Sequence, residues 1–263
     1  MTDAAYLSYD GLIATITLNR PERFNAIDEA AAVALAALGR ELATREDIRV
    51  VVIRGAGAAF CAGGDINHMA AHLDDPAPMV KGILNAHHEF LTGLAALPAI
   101  VVTSVHGAVA GGGFSLAFMG DLCIAADTAR FTPAYARLGV SPDGGGTIGL
   151  VRAVGVRRAL QIFLMEDSFG AAEAEAWGLV NKVAPESELQ TATLALARRL
   201  ASLGSGAVAA TKRLIAASPD RQMAEQLDAE MNELIGCMRM EPFRDAVRRF
   251  VDRSKDSRSP NAV

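Results

Sequence analysis

Two short stretches carry residue types that can hold a developing negative charge without a charged side chain. Phe60–Asp65 reads FCAGGD and Gly107–Phe114 reads GAVAGGGF, and each follows an apolar run and precedes helix-forming residues. A glycine-rich strand-to-helix junction leaves backbone N–H groups unpaired at the helix start and lets a ligand come close. Two such junctions can aim donors at one oxygen, which an oxyanion hole requires, although each loop taken singly also fits a tight turn. Neither matches a phosphate-binding pattern. GxxxxGK followed by Ser or Thr is absent, and the glycine run lacks G-x-G-x-x-G spacing with an acid further on. His68 and His72 stand four apart, a metal-ligand spacing on a helix, but no HExxH-type glutamate accompanies them. A solvated or substrate-lining face is the alternative, and no metal is expected. Cys61 adjoins the first loop without an adjacent base to make it a nucleophile.

The elements that must position these loops alternate. Strands are expected at Tyr6–Asp10, Leu12–Leu18, Arg49–Arg54, Ile100–Val105 and Leu122–Ala126, from short β-branched and aliphatic runs. Helices are expected from the N-cap Asp28 to Leu42, near Ile66–Leu73, over Val80–Leu97 and starting near Phe114. GAVAGGG reads as a turn and Phe131–Gly146 as loop. Helices then dominate, at Arg152–Leu164, Ala171–Trp177, Glu188–Leu203, Ala207–Ala216, Gln222–Met238 and Pro242–Arg253, before a polar tail expected to be mobile. The pattern is an α/β body with a helical C-terminal appendage, divided as 1–203 and 204–263.

Composition excludes several classes. The 263 residues are 51% hydrophobic, enough for a sizeable core, while aromatics are only 5%, so a mainly aliphatic core is expected. A net charge of −5 with four lysines gives no global basic field for nucleic acid. Three cysteines without CxxC spacing argue against a disulfide frame or cysteine zinc site. Between Glu89 and Asp121 no acid, lysine or arginine occurs, long enough to span a bilayer. Pro98, Thr103, Ser104, His106 and five glycines break that stretch up, and a buried strand, turn and helix fit it better. The start, MTDAAYLSYD, has no basic stretch followed by an apolar run, so a cytoplasmic protein is expected.

Four motifs in order resemble the enoyl-CoA hydratase/isomerase family, the crotonases: LNRPERFNAI (Leu18–Ile27), FCAGGDI (Phe60–Ile66), HGAVAGGGFSLAFMGDLCIAA (His106–Ala126) and FTPAYARLGVSPDGGGT (Phe131–Thr147). WGLVNKV (Trp177–Val183) and PFRDAVRRFVDR (Pro242–Arg253) are similar to that family's later segments. The resemblance runs over nearly the whole chain and is specific for the superfamily, much less so for the reaction. It implies a crotonase-like spiral of ββα units, with a C-terminal helical region (204–263) that forms homotrimers, often paired into hexamers. It also implies an acyl-CoA thioester substrate, with coenzyme A part of the substrate and no separate cofactor. The two N–H groups that hold the thioester oxygen match Gly64 and Gly112. Arg23 matches the family's cation for the CoA phosphates, and Ala62, Asp65 and Ile66 would contact the adenine end. Arg253 and Lys255 would reach the CoA of a neighbouring subunit.

The resemblance also bears on the reaction. Family hydratases use two glutamates, and at those positions this chain has Ser115 and Tyr135, neither a natural base near neutral pH. They are expected to shape the substrate pocket. A carboxylate stands instead at Asp143 in SPDGGGT, where family isomerases that move a double bond from the 3- to the 2-position carry Glu or Asp. Asp143 would take a proton from C2, the two amides would hold the dienolate, and the new acid would return the proton at C4. Such an acid must be shielded from water between steps. Alternatively, Asp143 caps the helix that follows. PDGGGT also resembles the isomerases of aerobic phenylacetate degradation, which rearrange ring-epoxide and unsaturated CoA thioesters. His87 and His88 are packed or exposed helix residues, or one lines the acyl pocket.

Other readings use the same residues differently. Asp143 could be a nucleophile toward an aryl-CoA, as in the dehalogenase branch, although the aromatic and histidine partners of that branch are not evident in the sequence. A ring-forming, hydrolytic or hydratase-like reaction also fits the superfamily. RNA binding, which some members of the fold perform, would need a lysine-rich helix that is missing, and a silent scaffold would not need both glycine loops and a carboxylate.

Overall fold

The computed structural model describes residues 3–256, and the backbone divides into two compact units, one ending at Leu200 and the other starting at Ala201. In the first, β1 (Ala5–Asp10) and β2 (Ile13–Leu18) form an antiparallel hairpin. The chain then makes α1 (Glu29–Ala43), β3 (Val50–Gly55), α2 (Ile66–Ala70), α3 (Ala77–Ala96), β4 (Ile100–Val105), β5 (Ala108–Ala110) and α4 (Gly112–Ala117). It continues through β6 (Leu122–Ala126), β7 (Arg130–Thr132), α5 (Gly146–Leu164), β8 (Phe169–Gly170), α6 (Ala171–Ala176), β9 (Lys182–Ala184) and α7 (Leu189–Ala201).

The main sheet runs β1-β2-β3-β4-β6-β9, parallel from β2 onward, and a small second sheet runs β5-β7-β8. Parallel neighbours require a crossover between them, which the helices between these strands provide in part. The central strands VVVIRG and IVVTSV are buried almost throughout, as continuous apolar runs in a parallel sheet should be. α1 starts where expected because the Asp28 carboxyl accepts from the Ala31 amide at 2.9 Å. Its face Ala31, Leu35 and Leu42 then turns into the core.

Several expectations are corrected. Ala108–Ala110 is a strand, not a turn, because it pairs with β7 and its Val109 bridges Cys61. Three residues carry no readable periodicity, and their partners are distant in sequence. α5 begins at Gly146 rather than Arg152, since its first turn is glycine-rich, and it breaks at Gly155, where φ is 74°. α3 begins at Ala77, before Val80, with Pro76 ahead of its first turn.

The core is also less uniformly aliphatic than composition implied. Phe114, Phe118, Phe131, Phe163 and Phe169 pack into one cluster with Trp177, with ring centroids 5.0 Å apart for Phe114–Phe118 and 5.4 Å for Phe131–Phe169. These few rings collect behind α4, α5 and β7, and Tyr135 joins them at 6.1 Å from Phe163. The second unit comprises α8 (Ser205–Ala217), α9 (Met223–Met238) and α10 (Glu241–Asp256). Arg213 of α8 grips Glu233 of α9 through two bonds of 2.9 and 2.8 Å. Leu227, Met231 and Leu234 of α9 are exposed. No helix among the described residues is long and apolar enough to cross a membrane.

Candidate active site

The two glycine loops lie side by side. The Phe60 amide donates to His106 O at 2.8 Å, Cys61 N to Ala108 O at 3.2 Å and Ala110 N back to Cys61 O at 2.9 Å. That zipper carries the chain after β3 along β5, so the two junctions arrive together. At Gly63 φ is +96°, and a methyl carbon added there would sit 2.8 Å from Ala110 O and 3.1 Å from Gly112 N. Only glycine allows this approach. A methyl carbon added at Gly112 would lie 3.9 Å from the Gly64 nitrogen. Gly112 is the first residue of α4, so its N–H has no intrahelical acceptor. The Gly64 amide has no acceptor among the described residues. Two unspent donors thus stand close together on half-buried backbone.

One helical turn beyond Gly112, Ser115 is fully buried and its hydroxyl lies 2.8 Å from that of Tyr135. Tyr135 donates to Asp143 Oδ1 at 2.7 Å. A phenol has one proton, and it is spent on the carboxylate. The Ser115 hydroxyl is therefore the donor to Tyr135, and the chain runs Ser115 to Tyr135 to Asp143. Burial, reinforced by the Asp143 charge, pushes the Tyr135 hydroxyl up and keeps it a donor. The helix-cap alternative for Asp143 is not what the structure adopts. α5 is preceded by Gly145 with no side-chain cap, and it is the Asp143 backbone carbonyl that accepts from Gly146, at 3.0 Å. The carboxyl instead accepts the Tyr135 hydroxyl at Oδ1.

His87 of α3, separated from Asp143 by more than fifty residues, completes the cluster. It is 3% exposed, and neither ring nitrogen has a hydrogen-bond partner among the described residues. Burial pushes its pKa down to about 4 against the opposing pull of the Asp143 charge, so the ring is neutral near pH 7. A methyl carbon added at Gly144 would come 3.5 Å from His87 Nε2 and 3.3 Å from Ser115 Cβ. The imidazole and Ser115 therefore flank the residue next to Asp143. The sequence left His87 among several possibilities, because helical spacing distinguishes a buried face but not what that face meets. His88, its neighbour, is exposed.

A second group of residues surrounds the first glycine loop. Asp65 caps α2, accepting from Asn67 N at 3.1 Å and His68 N at 3.2 Å, and pairs with Arg23 at 3.1 Å and Arg20 at 3.5 Å. Burial would raise its carboxyl, but the His68 amide and the two guanidinium groups outweigh that and hold it below the usual range. Arg23 stays half exposed and Ile66 points outward. The Ala62 amide is already given to Phe24 O at 2.9 Å, which leaves that residue's carbonyl for a ligand. Arg20 was missed in the sequence, where the family pattern points to Arg23 alone. It also pairs with Asp28 at 2.7 Å. Arg253 and Lys255 fall after Val251, where side chains lie outside the described residues.

The remaining candidates do other things. Cys61 Sγ donates to Asn25 O at 3.2 Å, and burial pushes its thiol up to about 12. His72 Nδ1 lies 2.8 Å from His68 O, and no cluster of three or more His, Cys, Asp or Glu side chains suited to a metal occurs among the described residues.

Residues 9–258 match the family model described as enoyl-CoA hydratase/isomerase. The chain is 33% identical to the 1,2-epoxyphenylacetyl-CoA isomerase of Escherichia coli, over 91% of this chain and 92% of that one. It is 35% identical to a probable enoyl-CoA hydratase of Rhodobacter capsulatus, over 92% of each. A Thermobifida fusca protein, provisionally described as an enoyl-CoA hydratase and solved with acetoacetyl-CoA, superposes with a TM-score of 0.83 at 30% identity, over 90% of this chain and 95% of that one.

Proposed function

The chain belongs to the enoyl-CoA hydratase/isomerase family and has its crotonase fold, and from that premise we propose that it is an isomerase moving the double bond of an enoyl-CoA from the 3- to the 2-position. The observation that carries this reading is the Asp143 carboxyl, held by Tyr135 at 2.7 Å and not used as a helix cap. Ser115 and Tyr135 occupy the positions at which family hydratases have their two glutamates. Here they form a hydrogen-bonded pair that ends on one carboxylate.

In this reading the Gly64 and Gly112 amides receive the thioester oxygen. Asp143 Oδ2 takes a proton from C2, and the electrons of that C–H bond pass into a dienolate whose charge rests on the held oxygen. The same proton is then delivered to C4, so the double bond moves while the composition of the substrate does not change. Donors preset for charge that arises only in the transition state are worth on the order of 10²–10³ in rate each. Tyr135, fed by Ser115, steadies the carboxylate and fixes which oxygen faces the substrate. Arg23, with Ala62, Asp65 and Ile66 around the first loop, would meet the CoA portion. Assembly of homotrimers or hexamers through the helices after 204, and a cytoplasmic setting, belong to the same proposal.

Similarity to the 1,2-epoxyphenylacetyl-CoA isomerase favours one second reading, in which the same carboxylate and amides rearrange a ring-bearing thioester. The test is to mix the protein separately with a 3-enoyl-CoA and a 2-enoyl-CoA, following absorbance and product mass beside Asp143→Asn. A shift at unchanged mass, lost in the variant, supports the proposal. Addition of one water that survives in the variant overturns it. If neither substrate reacts, the double-bond shift is withdrawn in favour of ring-epoxide esters.

A further inference from the structure

His87 is the one buried ionisable group beside Asp143 that the reaction above leaves unused. A neutral imidazole carries one N–H donor and one nitrogen acceptor, and both are ordinarily paired when buried. Here neither nitrogen meets a described backbone or side-chain group. Its nearest ring neighbour is Phe90, 6.3 Å away between centroids, which offers no acceptor. Nε2 instead packs against Gly144, where an added methyl carbon would sit 3.5 Å from it and 3.3 Å from Ser115 Cβ. A group that reached the imidazole would therefore stand next to the turn carrying the base, where the acyl part of the substrate lies.

We infer that His87 is a specificity-determining residue whose imidazole hydrogen-bonds an oxygen on the acyl group. The site then takes thioesters bearing an ether, hydroxyl or carbonyl oxygen in preference to a plain hydrocarbon chain. This rests on the proposed placement of the acyl group beside Asp143. A hydrocarbon leaves the buried imidazole unpaired, and a site built to hydrogen-bond a substrate discriminates strongly against the analogue that lacks the partner.

Three saturated ligands with chains of equal length test the inference by titration calorimetry: hexanoyl-CoA, 4-methoxybutanoyl-CoA and 5-hydroxypentanoyl-CoA. The wild-type protein is expected to bind at least one of the oxygen-bearing pair about tenfold or more tightly than hexanoyl-CoA. Tighter binding of either one supports the inference, and because the ether oxygen lies one atom nearer the thioester than the hydroxyl, the pair also reads how far along the chain the imidazole reaches. His87→Leu is expected to lose the preference, and His87→Gln, which keeps a donor and an acceptor, to retain part of it. Equal affinities in the wild type overturn the inference without reference to any variant, as does a preference that survives in His87→Leu. Because none of the ligands can react, the outcome is separate from turnover. A His87-dependent preference in a protein that shifts no double bond sinks the proposed reaction alone, and turnover without the preference sinks the inference alone.

Discussion

The paired glycine loops and the Ser115–Tyr135–Asp143 chain adjoin through α4, yet they are made of opposite materials. The loops contribute backbone amides that exist because glycine permits the approach of Gly63 to Ala110 and Gly112. The other half is a chain of side-chain oxygens 2.8 and 2.7 Å apart, supported by an aromatic cluster. Amides can hold an oxygen but cannot exchange its substrate's protons, whereas a carboxylate can. The half built from backbone is suited to the thioester common to the whole family, and the half built from side chains is where reactions can diverge.

The sharpest way to break that division is Asp143→Asn. Removing the only proposed acid–base group is expected to lower kcat for the double-bond shift by about 10²–10⁴-fold, with acyl-CoA affinity nearly unchanged, as steady-state kinetics and direct binding would read. A comparable fall in affinity would mean that the carboxylate helps to hold the ligand. Next is Gly112→Ala, where the added methyl would meet nothing closer than 3.9 Å. Folding should survive, but the methyl sits beside the Gly64 nitrogen, and loss of one effective donor predicts about 10²–10³ in kcat/KM. At Gly63 the same change puts a methyl 2.8 Å from a carbonyl at φ +96°, so there the expected loss is of stability, about 1–3 kcal/mol, read as a lower Tm.

Tyr135→Phe should act more mildly. It takes one hydrogen bond from Asp143 and leaves the buried Ser115 hydroxyl without that partner, an expected loss of about tenfold in kcat, with Ser115→Ala smaller still. Equal activity would show that the relay only packs. The smallest effect concerns His87, whose pKa falls from 6.5 to about 4 on folding. Between those values the unfolded chain binds a proton that the folded one does not, so stability declines as pH falls from about 6.5 to about 4, by up to ~1.4 kcal/mol per unit. Denaturation midpoints in that window should fall less steeply with acid for His87→Gln. Identical slopes would show that the ring is not held neutral.

Much of this architecture is legible in the chain because its signals are local. Asp28 caps α1 through an amide three residues away, and the apolar runs of β3 and β4 reveal their own burial. Glycines at two strand-to-helix junctions announce unpaired amides, and the family motifs single out Gly64, Gly112 and Asp143. The short strands β5, β7, β8 and β9 were missed because a two- or three-residue strand exists only through its partner. The first turn of α5 was missed because glycines hide it.

What the sequence by itself offered was an inventory: two glycine loops, Ser115 and Tyr135 in place of the hydratases' glutamates with a carboxylate at Asp143, and an arginine at position 23. Only the tertiary structure decided how these act on one another. It turned Asp143 from the helix after it toward Tyr135, made Ser115 a donor to that tyrosine, set Arg23 against Asp65 and brought His87 up to the same turn. The physical reason is distance along the chain. A cap or a turn is set by neighbours a few residues away, whereas these pairings join residues whose meeting depends on how α3, α4 and the loop before α5 pack around a shared core.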